Sequence, residues 1–185
     1  MKKIAVIILL CAMFSVDAQD KPKLKRTKVA DGISLMVPVG WRPMDELDFS
    51  QRYPSVRAPI AAFTDQDRLS DLSVNVSATQ WPDANAAMAS QFFKAAIMNT
   101  FDRVEMISEG VREIKGNDFI YFEFESTIRG NPRELGQQQS ILGYSYIQYL
   151  VQPHRTLVFS FHCPRRSRQQ WEETALEIME NVRVR

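Results

Sequence analysis

Two segments of this chain, FIYFEFEST at 119–127 and ILGYSYIQYLV at 141–151, carry apolar or aromatic side chains in both alternation classes of a β-strand. Successive side chains of a strand point to opposite faces, so segments of this kind belong to central strands covered on both sides. LSVNVSAT at 72–79 is different, because Leu72, Val74 and Val76 alternate with Ser73, Asn75 and Ser77. That is the pattern of a strand with one buried face. The chain must therefore supply two layers of cover for one sheet.

The other elements follow from local signals. Asp31-Gly32 sits between apolar stretches and predicts a hairpin. Pro38 and Pro43 then interrupt the ladder pattern. A short helix is expected from about Met44 to Arg52, stopped by Tyr53-Pro54. APIAAFT and LSVNVSAT read as two strands about a polar turn at 65–68, and further strands are expected over 104–115, 118–129, 140–152 and 155–163. Two helices flank that series. DANAAMASQFFKAAIMNTF, with Asp83 as its expected N-cap, presents Met88, Phe92, Phe93, Ala95, Ile97 and Phe101 as a broad apolar face. RSRQQWEETALEIMENV places Trp171, Ala175, Ile178 and Val182 on one side, with Ser167 and Gln170 at capping-box spacing.

The N-terminus reads as an export signal. Lys2 and Lys3 precede an apolar run, Ile4 to Phe14, that is too short to span a bilayer, and Val16-Asp17-Ala18 suits a cleavage site. We expect residues 1–18 to be a signal peptide and the product to be periplasmic or secreted. A lipid anchor on Cys11 would need a small residue before it, where Leu10 stands. Residues 19–27, within a basic run KPKLKRTK, are expected to form a flexible tether ahead of a single domain over 28–185. Two of the 23 basic and one of the 22 acidic residues precede the cut, so the remainder carries 21 of each. That balance gives no global attraction to nucleic acid or anionic membrane.

Past the cut there is one cysteine, so no internal disulfide can staple the fold. Cys163 follows His162 in FSFHCPRR, a pair that invites reading as a nucleophile and its base. Strand parity separates them. Cys163 shares a face with Leu157, Phe159 and Phe161, whereas His162 shares the opposite face with Thr156, Val158 and Ser160. His154 and His162, eight residues apart, would stand roughly 27 Å from each other on a continuous strand at about 3.4 Å per residue. Neither metal-ligand spacings nor nucleophile-elbow, phosphate-loop or dinucleotide motifs occur, so no catalytic residue, metal or cofactor is expected. Glu123 and Glu125 share a strand face and read as a polar sheet margin rather than an acid/base pair.

Two polar features stand out. Arg165, Arg166 and Arg168 precede the last helix, where the macrodipole disfavours cations unless an anion or acidic partner compensates them. RGNPRELGQQQ, residues 129–139, is a polar connection between two apolar strands, and such loops carry recognition on rigid scaffolds.

The opening DGISLMVPVGW with its Pro38-x-Gly40-Trp41, the long alanine-rich helix and the strand–Cys-Pro–helix ending of 159–182 resemble the PsbP-like family. Its members include extrinsic photosystem subunits, Ran-binding Mog proteins and DcrB-type bacterial envelope proteins. The resemblance implies an α+β fold: an α/β/α sandwich whose central antiparallel sheet has about six or seven strands, with helices on both faces. It also implies a non-enzymatic binding or assembly factor for another protein or an envelope component. Arg165, Arg166, Arg168, Arg129 and Arg133 are then the first partner-binding candidates. The alternative is a small-ligand carrier or weak hydrolase with a cleft between sheet and helix, containing Trp81, Tyr144, Tyr146 or His162.

Overall fold

A computed structural model of the chain describes residues 21–52, 58–79, 81, 85–130 and 139–185. The elements run β1 (Leu24–Ala30), β2 (Ile33–Pro38), β3 (Arg42–Pro43), α1 (Glu46–Arg52), β4 (Ala61–Thr64) and β5 (Asp71–Val76). They continue with α2 (Ala86–Thr100), β6 (Arg103–Ile114), β7 (Asn117–Ile128), β8 (Ile141–Gln152), β9 (Arg155–Pro164), α3 (Arg168–Glu180) and β10 (Arg183–Val184). A seven-stranded sheet has the order β3-β4-β5-β9-β8-β7-β6, with every neighbouring pair antiparallel. A second sheet, β1-β2-β10, is also antiparallel.

The two-sided strands lie in the middle of the large sheet. On one face Phe119, Tyr144, Tyr146, Leu150, Phe159, Phe161 and Cys163 pack against α3, through Trp171, Ala175 and Ile178, and against Ile33, Leu35 and Val37 of β2. On the other, Ile120, Phe122, Phe124 and Tyr149 meet Ala89, Phe93 and Ile97 of α2. Phe93 stacks on Tyr149 with ring centroids 3.9 Å apart. Helices cover both faces, and the small sheet shares the α3 side. The glycine-tryptophan signal has a packing role: Gly40 at φ +93° turns the chain so that Trp41 reaches Trp171 (5.2 Å) and Phe161 (6.0 Å).

Several local expectations change. Residues 24–27, expected within a flexible tether, are the start of β1, because Leu24 to Lys28 pair in register with Pro38 to Ser34 and Leu24 and Val29 pack on the core. Asp83 lies outside the described residues, and the N-cap of α2 is Asn85, whose side chain accepts from Met88 N at 3.0 Å. The buried stripe of α2 is only Ala89, Phe93 and Ile97; Met88 and Phe92 are exposed. Ser167 makes no capping bond, since a 3-10 turn over Arg165–Ser167 leads into α3 instead.

The sheet edges are blunt. β3 is two residues long and ends in proline, and β6 carries a register shift between Met106 and Ser108 with Arg103, Glu105 and Glu109 exposed along it.

Helix α1 is tied to the β3 side of the sheet through Asp48, which is fully buried. Its carboxylate pairs with Arg42 at 2.8 Å and Arg68 at 2.7 Å, and it accepts from Asp45 N at 3.2 Å. Burial works against the charge, but the hydrogen bonds from Arg42 and Asp45 and the two guanidinium charges hold the pKa down at about 2 from an ordinary 3.8. A group depressed in this way stabilises the fold above its unfolded pKa and ceases to do so as pH falls towards its folded one. Asp48→Asn is therefore expected to destabilise the protein at neutral pH by about 1–3 kcal/mol. Denaturant unfolding as a function of pH should show the gap to wild type closing between 3.8 and about 2.

Candidate functional site

His162 and Cys163 part company as strand geometry requires. Cys163 is fully buried beside Tyr144 and Phe161, and burial, helped by the charges of Asp71 and Asp65, pushes its thiol up to about 12. It holds its proton at neutral pH and is inert. His162 faces the other side of the sheet. Its Nδ1 and Ser145 Oγ are joined by a hydrogen bond of 3.0 Å, and its ring lies across Gly143. A β-carbon at Gly143 would stand 2.6 Å from His162 Cε1 and 3.2 Å from Ser126 Oγ, so only glycine admits the imidazole there.

Helix α2 packs on β6, β7 and β8 and leaves a groove on that face along β5, β9 and β8. Beyond it, in register across β5, β9 and β8, come Ser73 opposite Ser160, and Asp71 and Ser145 on either side of His162. With Asn75 and Ile147 these line an open groove of about 270 Å³, floored by the buried Ser73 and Ser145. Asn75 Nδ2 donates to Ser73 Oγ at 3.1 Å. His162 is also a wall of a wider groove, about 710 Å³, bounded by Leu69, Ser140, Ile141, Leu142, Pro164, Arg165 and Arg166. This groove lies at one end of the sheet: Ile128 ends β7 opposite Ile141, and Gly143 pairs with Pro164 at the end of β9. Leu69, Ile128, Ile141 and Leu142 are all exposed there, Ile141 by 63%. Exposed apolar side chains bordering one groove are what an interaction surface presents.

The arginines divide. Arg168 is committed within the fold, donating to Glu125 at 2.9 Å and to Glu172 at 2.8 Å, with its guanidinium 5.7 Å from the Tyr144 ring. Those carboxylates raise its pKa, the Glu125 hydrogen bond most. Glu125 also takes Arg165 at 2.9 Å, so the anion that offsets the basic start of α3 is the protein's own. Glu123 and Glu125 form the polar margin expected of them, Glu123 accepting from the Tyr144 hydroxyl at 2.8 Å. Arg165 remains half exposed, Arg166 is exposed, and both line the wide groove. Arg129 is exposed next to Ile128, its backbone N–H fixed by Asp102 at 2.8 Å. Arg133 lies outside the described residues.

The four aromatic and histidine candidates are not brought together. Tyr144 and Tyr146 are buried on the α3 side, His162 faces the opposite side, and Trp81 packs edge-on against Phe92 and Phe93 of α2. Among the described residues no three His, Cys, Asp or Glu side chains converge as metal ligands. The serine–imidazole contact is a weak basis for nucleophilic chemistry, because the backbone N–H groups of β5, β9 and β8 serve ladders on both sides rather than an oxyanion. Sequence reasoning missed Ser145, Leu69, Ile141 and Leu142. The signal available was the shared polar parity of Ser73 with Asn75 and of Ser160 with His162.

Neither family models nor curated proteins match the sequence. Solved structures do match. CyanoP, the PsbP protein of Synechocystis sp. PCC 6803, superposes with a TM-score of 0.60 at 14% identity, over 94% of this chain and 99% of that one. The chain has the PsbP-like fold. LpqN of Mycobacterium tuberculosis, described as involved in cell envelope biogenesis, gives 0.55 at 14% identity over 90% of this chain and 87% of its own. The Saccharomyces cerevisiae Ran-binding protein Mog1p gives 0.52 at 12% identity, over 89% and 96% respectively. At such identities the likeness establishes the sandwich and leaves function to the surface.

Replacing Gly143 by alanine is expected to evict the His162 ring, at a cost of about 1–3 kcal/mol in urea unfolding. Combining it with His162→Ala should recover part of that loss, because the colliding ring is gone; simple additivity of the two changes would show that the ring does not lie on Gly143.

Proposed function

We propose that the protein is an exported, non-enzymatic envelope factor that binds another protein through the end of its large sheet. The observation that carries this reading is the wide groove at that end, bordered by the exposed Leu69, Ile141 and Leu142 together with Arg165 and Arg166, with Ile128 and Arg129 exposed at the neighbouring end of β7. An apolar surface rimmed by cations suits a partner segment that is apolar at its centre and acidic at its flanks. Export is supported by the Lys-flanked apolar N-terminus with its Val16-Asp17-Ala18 ending. Among proteins of this fold, Mog1p binds Ran and LpqN takes part in envelope biogenesis, which supports a binding role in the envelope. Action by binding rather than by chemistry is supported by the inert Cys163 thiol and by a groove that is open rather than enclosed.

Arg165 and Arg168 hold Glu125 and are poor choices for testing this surface. Arg129→Glu with Arg166→Glu changes charge without breaking a side-chain pair among the described residues. A photo-crosslinking residue at Ile141 in intact cells is expected to capture a discrete partner, and the double charge reversal is expected to lower capture about tenfold or more. The melting temperature should stay unchanged. Undiminished capture by the reversed variant would remove this surface from consideration.

A further inference from the structure

The outer face of the small sheet gathers four basic side chains around one cleft. In β2, Ile33, Leu35 and Val37 point into the core, so Ser34 and Met36 point outward. The register sets Lys28 of β1 and Arg183 of β10 on either side of Ser34, in one row across three strands. Arg26 stands opposite Met36 in the next row, and beyond β10 Arg185 N donates to Gly32 O at 2.9 Å. Gly32 has φ +75°, and a β-carbon there would be 3.0 Å from the Arg185 carbonyl oxygen, so the hairpin turn and the last strand sit close. Arg26, Lys28, Arg183 and Arg185, with Ser34, thus line a cleft of about 480 Å³.

Four cations in one concavity repel each other, and the fold does little to relieve them. Among the described residues the only carboxylate paired with any of the four is Asp31, on Lys28 at 2.6 Å, and both members of that pair are well exposed. Arg26 is held in place instead by carbonyl and hydroxyl acceptors, donating to Asn181 O at 2.9 Å and to Ser34 Oγ at 3.5 Å. Burial and the neighbouring Arg183 charge push its pKa down, the mark of a guanidinium without an anion. The contrast is with Arg165 and Arg168, which share the fold's own Glu125. Forked guanidinium donors match the oxygens of a phosphate, and a dianionic group offers acceptors enough for several donors at once.

We infer that the cleft between β1 and β10 binds a multiply charged phosphate group, with Lys28, Arg183 and Arg185 as its ligands and Arg26 as a fixed floor. The phosphate belongs either to a soluble phosphate compound or to a lipid headgroup, and the two sources are separable by experiment. Its volume lies in the range of ordinary small-ligand sites, which accommodates more than a bare ion.

Pyrophosphate is the soluble probe and vesicles of phosphatidylcholine with phosphatidic acid are the membrane probe. Wild-type protein is expected to melt at a higher temperature in pyrophosphate than in chloride of equal ionic strength. Lys28→Glu with Arg183→Glu is expected to weaken pyrophosphate binding about tenfold or more in calorimetric titration. Without ligand the glutamate variant sets a second acid beside Asp31, so the variant expected to melt no lower than wild type is Lys28→Gln with Arg183→Gln, which relieves repulsion and gives up only an exposed pair. Co-sedimentation with the acidic vesicles, lost in the variant and absent with phosphatidylcholine alone, would assign the phosphate to a headgroup. Pyrophosphate binding without co-sedimentation would assign it to a soluble compound. No pyrophosphate shift beyond the chloride control together with no vesicle binding, or binding that survives both variants, would overturn the site. Neither substitution touches the end of the large sheet, so partner capture there is read separately.

Discussion

Everything in this molecule follows from a sheet whose middle strands are apolar on both sides. β7 and β8 each commit aromatic rings to two faces, and β9 commits one face fully, so burying them takes two separate lids. On one side the lid is composite: α3 together with β2, joined by the Trp41–Trp171–Phe161 cluster. On the other, α2 covers β6, β7 and β8, and at the far margin Arg42 of β3, which shares that face by register, is tied to α1 through Asp48. A helix of 15 residues is about 22 Å long and about 10 Å wide, enough for the three strands it meets and no more. Past its reach the face turns polar along β5 and β9, where Ser73, Asn75, Ser160 and His162 line the groove. The position of the groove is a consequence of how far one helix extends.

Much of this was legible in the order of residues. Parity alone separates His162 from Cys163, because alternation along a strand is a covalent property that no tertiary contact can override. The two-sided character of 119–127 and 141–151 required two layers of cover, and the seven-stranded antiparallel sheet with helices on both faces has them. What escaped depends on register between distant segments. The Glu125 pairs with Arg165 and Arg168 join β7 to residues 40 or more positions further on, and nothing near either end announces them. Residues 24–27 look like the end of a tether because they continue the basic run KPKLKRTK. Only Leu24, Val29 and the pairing with β2 make the segment a strand, since long basic side chains can stand outward while the backbone completes a ladder. The apolar face of α2 was read too wide for a related reason: Met88 and Phe92 suit a buried helix, yet the helix lies on a sheet at one narrow stripe.

Charge shows the limits of a global count. Residues 19–185 carry 21 acids and 21 bases, yet a stretch balanced in this way can still segregate them, and this one does. At the start of α3 the basic cluster is answered by Glu125 and Glu172; on the outer face of the small sheet no side-chain carboxylate among the described residues pairs with Arg26, Arg183 or Arg185. Local fields of this kind act within about 10 Å at ordinary salt, well inside the dimensions of the domain. Balance over the whole sequence therefore says nothing about either surface.

The blunt margins of the large sheet carry a consequence for assembly. One margin is a two-residue stub that ends in proline, and the other is a strand whose register slips between Met106 and Ser108. A segment approaching the β6 margin meets Arg103, Glu105 and Glu109 interleaved with the exposed Ile107 and Val111, so any strand added there would have to match that alternation of charge and apolar surface.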